Sequence, residues 1–303
     1  MIDYDSHINE NSDLIGATSN VYWRYDARTE VVQLSCAPPV AVPLGLQVSD
    51  WFPREALHDL RERAALSRAF GIEQTIFFPS AALHMYDIVQ TGTVEEIDFC
   101  LSYERAFCRE WRSEEIRPVR LLPGHPVTAR EVLRSSVDLE QQPIWLLPVR
   151  PAVPYLALDV WSPVFDAMDD AIVTFHLRYG MQAMAAPQHP LATIMFMRAE
   201  VQAAATAVLL SGLLIRFPKI RLLVTECEVS WFTDLVETAD SSTGIVGLEH
   251  ACIDLNTITR RNQVMISVPS WERAGQSSVV VLGTDMPHRD GWKPSREQRA
   301  AIR

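Results

Sequence analysis

The sequence is short of positive charge. Its 303 residues hold 27 lysines and arginines against 38 aspartates and glutamates, a formal charge of −11. Phosphate backbones are bound by basic faces, so this balance argues against nucleic acid as the main partner. Lysine is nearly missing: Lys219 and Lys293 are the only two. Cysteine is sparse as well. Cys36, Cys100, Cys108, Cys227 and Cys252 are odd in number and form no CxxC pair. That argues against a disulfide framework or an iron–sulfur cluster and suits a reducing cytoplasm. No GxGxxG follows an apolar run, so a dinucleotide-binding sheet lacks its main signal, and no flavin motif is visible. Long hydrophobic runs are also missing. The most apolar stretch, "AAATAVLLSGLLI" (203–215), is too short to cross a bilayer and is followed at once by Arg216. Residues 1–10 are acidic and unlike a signal peptide. A soluble, cytoplasmic protein with no membrane contact is expected.

What is present is an alternation. Short apolar, β-branched runs lie at 2–7, 73–78, 117–122, 143–148, 171–176, 220–226, 263–268 and 278–285. Helical patterns separate them. "FPREALHDLRERAALSRAF" (52–70) shows helical spacing with an Arg/Glu outer face. Thr93 opens a capping box, "TVEE", in which Glu96 can reach back to the Thr93 backbone. Ser162-Pro163 reads as a cap before a first-turn proline. Residues 197–217 read as the longest helix. Eight strands alternating with helices predict an α/β fold, a closed (β/α)8 barrel forming one domain over 1–303, with an open doubly wound sheet as the alternative. Segment 12–50 breaks the rhythm and reads as an irregular excursion over the barrel mouth. Segments 81–92 and 180–196 read as loops on that side.

Barrel chemistry sits where strands end. The first strand ends with Asp5 and His7, two apart and therefore on one face. The fifth ends with His176. The sixth runs into "TECE", which places Glu226 and Glu228 on one face. The eighth ends with Asp285, and His288 follows in "DMPH". Each residue has an ordinary structural reading as a turn cap, a surface carboxylate or a hydrogen-bonded histidine. Together they have a better one, because buried carboxylates without partners are costly and a divalent cation supplies one partner for all of them.

The stretches "IDYDSHINE", "FGIEQTIFFPS", "FHLRYG", "LLIRFPKIRLLVTECEVSW" and "VVVLGTDMPH" resemble, in order, those of the amidohydrolase-2 group of metal-dependent barrel enzymes. These are the relatives of the aminocarboxymuconate-semialdehyde and resorcylate decarboxylases. "TDMPH" resembles that family's SDxPH and is the most specific of the five. The resemblance implies metal ligation by Asp5, His7, His176 and Asp285, with Glu226 and His288 in the inner shell. Three departures stand out. Asp5 replaces the first histidine of the usual HxH, Glu226 stands where the decarboxylases carry a histidine, and Glu228 stands where glycine is usual.

With Glu228 included, four carboxylates could carry −4, which two divalent ions would offset fully. A carboxylate-rich site with histidines suits iron or manganese. Two enzyme readings follow. In the first, the chain is a nonheme diiron monooxygenase; it resembles those of amidohydrolase fold from bacterial diterpenoid (platensimycin/platencin-type) biosynthesis. That resemblance implies C–H hydroxylation of a bulky terpenoid acid carried as a CoA thioester, with O2 as co-substrate and an external electron donor. In the second, it is a decarboxylase or hydrolase with one zinc or manganese ion. Asp285, His288 and Glu226 are the candidate catalytic residues in either case. A barrel that has lost catalysis and serves as a scaffold is a third reading. The loops around Trp23, Arg24, Tyr86 and Arg178 offer aromatic surface and two cations for a large apolar, anionic substrate such as an acyl-CoA. A homodimer is expected from base rates alone.

Overall fold

The computed structural model describes residues 1–8, 14–15, 22–26, 31–35, 40–43, 48–53, 56, 59–80, 82–83, 86, 89–136, 141–181, 189–241, 249–270, 273, 277–288 and 291–295. β1 (Ile2–Ile8) opens the chain. Four short strands follow, β2 (Leu14–Ile15), β3 (Tyr22–Asp26), β4 (Val31–Ser35) and β5 (Val40–Pro43), paired antiparallel in that order. The expectation of an irregular excursion over 12–50 is therefore corrected. "YWRYD", "VVQLS" and "VAVP" are rich in aromatic and β-branched residues, which favour a pleated sheet over a loop.

The rest of the chain builds the barrel. β6 (Gln74–Pro79) pairs parallel with β1, and β7 (Ile116–Pro118) pairs with β6. β8 (Arg120–Leu121) continues β7 after a break at Val119, whose N–H still reaches Phe77 O at 3.0 Å. β9 (Ile144–Leu146), β10 (Ile172–Phe175), β11 (Arg221–Val224), β12 (Val264–Val268) and β13 (Val280–Leu282) then add in parallel order. Counting β7 and β8 as one, these are the eight strands expected from the sequence. All residues of β9, β10 and β12 are buried, as parallel strands covered on both faces require. The ring closes through a bridge between Ser6 and Met286, just past β13. The fold is a closed, parallel α/β barrel.

Several helix boundaries differ from expectation. The first helix spans Leu60–Ala69 and starts late because Asp59 caps it, accepting from Arg61 N at 2.7 Å and Glu62 N at 3.3 Å. Arg63, read as part of the outer face, is buried with Ala64 and Leu66. Thr93 caps the helix Val94–Tyr103, but Glu96 reaches back one residue further than expected, accepting from Gly92 N at 2.7 Å. Ser162 and Pro163 lie inside the helix Leu158–Met168, where the Ser162 hydroxyl turns back to Leu158 O at 2.7 Å. The long helix runs over Pro190–Leu210 and is separated from Leu213–Arg216 by Gly212, whose φ of 81° belongs to the left-handed region. Residues 190–196 are thus helical, while 182–188 lie outside the described residues. Leu191–Leu210 has the length and mean hydropathy (1.3) of a membrane-crossing helix. Its inner face, with Val201, Ala205 and Val208, is nevertheless buried in the barrel core, while Leu191, Met195 and Phe196 are exposed. Among the described residues no helix separates β12 from β13. A groove of about 650 Å3 lies there, lined by Phe232, Val236, Arg273, Val279 and Val280 among others.

Candidate metal centre

β1 presents Asp5 and His7 as alternate residues of one strand, and both are buried. His176 immediately follows β10, Glu226 lies two residues past β11, and Asp285 lies three past β13. Glu226 and Asp285 have φ of 54° and 52°. The left-handed region costs a non-glycine residue about 1–2 kcal/mol. Both acids therefore sit at sharp exits from their strands, held there by surrounding contacts. Asp285 N donates to Asp5 O at 2.7 Å, and His288 N donates back to Asp285 O at 2.9 Å. Gly291 lets the chain fold over this turn: a Cβ there would stand 2.6 Å from Thr284 O.

The side chains converge. His7 Nε2 is 3.1 Å from His176 Nε2 and 3.5 Å from Asp285 Oδ1. Asp5 Oδ1 is 4.0 Å from His7 Nε2 and 3.8 Å from His176 Nε2. Glu226 Oε2 is 3.3 Å from His176 Nε2, and His288 Nε2 is 4.0 Å from Asp285 Oδ1. Asp5, His7 and His176 each offer a donor atom, all within 4.8 Å of one another, and so do His7, Asp285 and His288. His176 Nδ1 is 2.8 Å from Leu177 O, so it carries the proton and leaves Nε2 as a ligand atom. Phe78 backs the site, its ring centroid 4.7 Å from that of His176.

Beneath this cluster lies a layer the sequence reading did not single out. Asp3 is fully buried and accepts from Thr284 N at 2.8 Å, Thr284 Oγ1 at 2.6 Å and Asp5 N at 3.2 Å. Ser267 Oγ donates to Asp5 Oδ2 at 3.2 Å. Arg63 reaches Ser6 and Met286 from the first helix. Gly283 packs against the back of Asp5, where an added Cβ would meet Asp5 Cβ at 2.6 Å. Asp3 shares the two-residue spacing of Asp5 and His7 in the sequence, but the register of β1 against β6 shifts between Asp3 and Ser6. Arg63, Ser267 and Gly283 carried no local signal.

Electrostatics decide what the cluster can hold. Burial, then the Glu226 carboxylate, push the Asp5 carboxyl well above the usual carboxylate range. Burial, then His288 and His176, hold His7 well below the usual imidazole value. Asp5 Oδ1 and Glu226 Oε2 are buried with no hydrogen-bond partner among the described residues. A divalent cation reverses these penalties at one stroke, since it favours both the carboxylate and the neutral imidazole. Carboxylate and imidazole donors converging from four distant parts of the chain fit such an ion.

Of the other expected site residues, Glu228 and Tyr86 make their contacts away from the cluster. Glu228 does not share a face with Glu226. β11 ends at Val224 and Glu226 is left-handed, so the alternation that would align the two acids has stopped. Glu228 instead pairs with Arg273 at 2.9 Å and is half exposed. Tyr86 is buried, with its hydroxyl bonded to Glu96 and accepting from Gly124 N at 2.6 Å. Arg178 follows β10 by three residues and has a φ of 76°. Trp23 and Arg24 lie on β3, opposite Leu34 and Gln33 of β4; their side chains are outside the described residues.

No family model matches the sequence, and no curated protein matches it. Solved structures do. An amidohydrolase from Mycobacterium avium subsp. paratuberculosis K-10 is 16% identical with a TM-score of 0.65, covering 100% of this chain and 93% of its own. The 2,6-dihydroxybenzoate decarboxylase from Rhizobium is 14% identical with a TM-score of 0.54, covering 99% and 95%. A dihydroxybenzoic acid decarboxylase from Polaromonas sp. JS666, with bound manganese and the inhibitor 2-nitroresorcinol, is 14% identical with a TM-score of 0.52, covering 99% and 93%. At these identities the likeness is one of fold.

Proposed function

We propose that this chain is a metal-dependent decarboxylase or hydrolase of the amidohydrolase-2 type. One divalent cation, zinc or manganese, would be held by Asp5, His7, His176 and Asp285, with Glu226 and His288 beside it. The observation that carries this reading is the convergence of Asp5, His7 and His176 donor atoms at the carboxyl end of a closed parallel barrel. Several neighbours in fold bear the names of decarboxylases, and one of them binds manganese.

When bound, the cation supplies a Lewis acid that polarises a substrate carboxylate or carbonyl and acidifies a bound water. The chain supplies the rest. The Leu177 carbonyl fixes the His176 tautomer. Asp285 stands with Oδ1 3.5 Å from His7 Nε2 and 4.0 Å from His288 Nε2, so a proton can move between the site and His288 through one water, and the His288 side chain is 21% exposed and open to exchange. Phe78 keeps water from the rear of His176.

A dinuclear iron oxygenase is the second reading. The observation behind it is that two triads, Asp5/His7/His176 and His7/Asp285/His288, offer two ion positions. It is the weaker one, because both triads draw on His7 and because Glu228, the acid that prompted a second cation, is spent on Arg273.

The test is reconstitution of chelated protein with Zn2+, Mn2+ or Fe2+, assayed on a panel of hydroxybenzoic acids and aryl amides. Metal-dependent CO2 release or water consumption without O2 uptake supports the first reading. Iron-dependent O2 uptake with a terpenoid acyl-CoA would replace it with the second.

A further inference from the structure

We propose that Arg63 is a positioning residue that sets the spacing of the metal-facing side chains across the seam where the barrel closes. The inference rests on the metal reading above. β1 and β13 share no regular ladder. They meet at one bridge, Ser6 to Met286, and two backbone bonds, His7 N to Met286 O at 2.7 Å and Asp285 N to Asp5 O at 2.7 Å. Yet the proposed ligands are divided across this joint, with Asp5 and His7 on one side and Asp285 and His288 on the other. Their separation depends on how the seam is held.

Arg63 comes from neither side. The first helix delivers its guanidinium from below, fully buried, with Phe52 and Phe77 rings 4.7 and 5.3 Å from its carbon. One nitrogen, Nη2, donates to Ser6 Oγ and also to Met286 O at 2.9 Å. Ser6 lies between Asp5 and His7, and Met286 directly follows Asp285. A single planar group therefore touches one residue on each side of the joint, and each of those residues neighbours proposed ligands. Nε and Nη1 find no hydrogen-bond acceptor among the described residues. An incompletely satisfied buried cation is a poor way to gain stability, and an apolar side chain would fill the same space more cheaply. What Nη2 supplies that an apolar group cannot is a fixed distance between the two strand ends. The Asp3–Thr284 bonds form a second strut across the same joint.

The experiment compares full-length wild type, Arg63→Met and Arg63→Lys by Mn2+ titration followed by electron paramagnetic resonance. Arg63→Met is expected to bind Mn2+ about tenfold more weakly or worse, in the range for residues that orient ligands. The spectrum of its bound ion should change, while the unfolding midpoint of the metal-free protein stays level or rises. Arg63→Lys should recover part of the affinity. A folded Arg63→Met that binds Mn2+ with wild-type affinity and spectrum overturns the proposal. Should Arg63→Met not fold, Ser6→Ala, which deletes the Arg63–Ser6 contact together with the 3.3 Å bond from Ser6 Oγ to Met286 O, must weaken binding severalfold, and unchanged binding overturns the proposal equally. A wild type that binds no Mn2+ would instead sink the metal reading, and this inference with it.

Discussion

His7 Nε2 stands 3.1 Å from His176 Nε2, although 169 residues separate the two in the chain. The Leu177 carbonyl holds the His176 proton on Nδ1, and burial keeps His7 neutral. Two ring nitrogens facing each other at this distance need a proton or a cation between them, and Asp5 Oδ1 at 3.8 Å from His176 makes a cation the better partner. His176→Gln and Asp285→Ala are each expected to lose bound metal and activity together. Elemental analysis of the purified variants checks this, and retention of a full equivalent in either would remove that residue from the ligand set.

Glu226 and Glu228 should respond differently. Glu226 faces His176 at 3.3 Å, whereas Glu228 pairs with Arg273 at the surface. Exposed pairs of this kind contribute at most about 1 kcal/mol. Glu228→Gly should therefore keep its metal and stay within about twofold of wild-type activity, while Glu226→Gln should lower activity by about 100-fold. Equal losses would show that Glu228 belongs to the centre.

Gly283→Ala is expected to damage metal binding from behind. Its new Cβ would stand 2.6 Å from the Cβ of both Asp5 and Ser267. Overpacking of this sort costs about 1–3 kcal/mol, and here relief requires Asp5 to move. Chemical denaturation and metal titration on the same variant should show both losses.

Asp3 gives the metal-free protein a pH signature. Burial raises its carboxyl from 3.8 to about 6. Between those values the native state binds more protons than the unfolded one, so Asp3 removes stability as pH rises through the window, by about 3 kcal/mol in all. His7, whose value is lowered, acts in the opposite sense but is common to wild type and variant. The stability of Asp3→Asn minus that of wild type should therefore grow from pH 4 to pH 6.5 and then level off. Denaturant titrations across that range measure it, and a flat difference would contradict the burial argument.

Asp59→Ala provides a contrast to Arg63. Loss of the cap on Leu60–Ala69 should cost about 1 kcal/mol and leave metal affinity unchanged, since Arg63 keeps its buried place. Unfolding curves and a metal titration separate the two effects.

The barrel was legible because parallel strands buried on both faces leave near-continuous apolar runs, as in "IVTF" and "VMISV". The convergence of Asp5, His7, His176 and Asp285 was legible for the same reason, since these residues interrupt or close such runs. Glu228 was misread because a two-residue alternation holds only while the backbone stays extended, and the chain turns left-handed at Glu226. Arg63 was misread because a charged residue within a helical pattern looks solvated until its contacts across the barrel seam are known. The sheet β2–β5 was missed because prolines and a polar turn masked short strands of high β-propensity.

The most direct measurement is the number of metal ions per chain, determined by elemental analysis after chelation, reconstitution and removal of excess metal. One divalent ion per wild-type chain, lost on Asp5→Ala, is the expected result. No ion in the wild type, or two irons per chain, would contradict it.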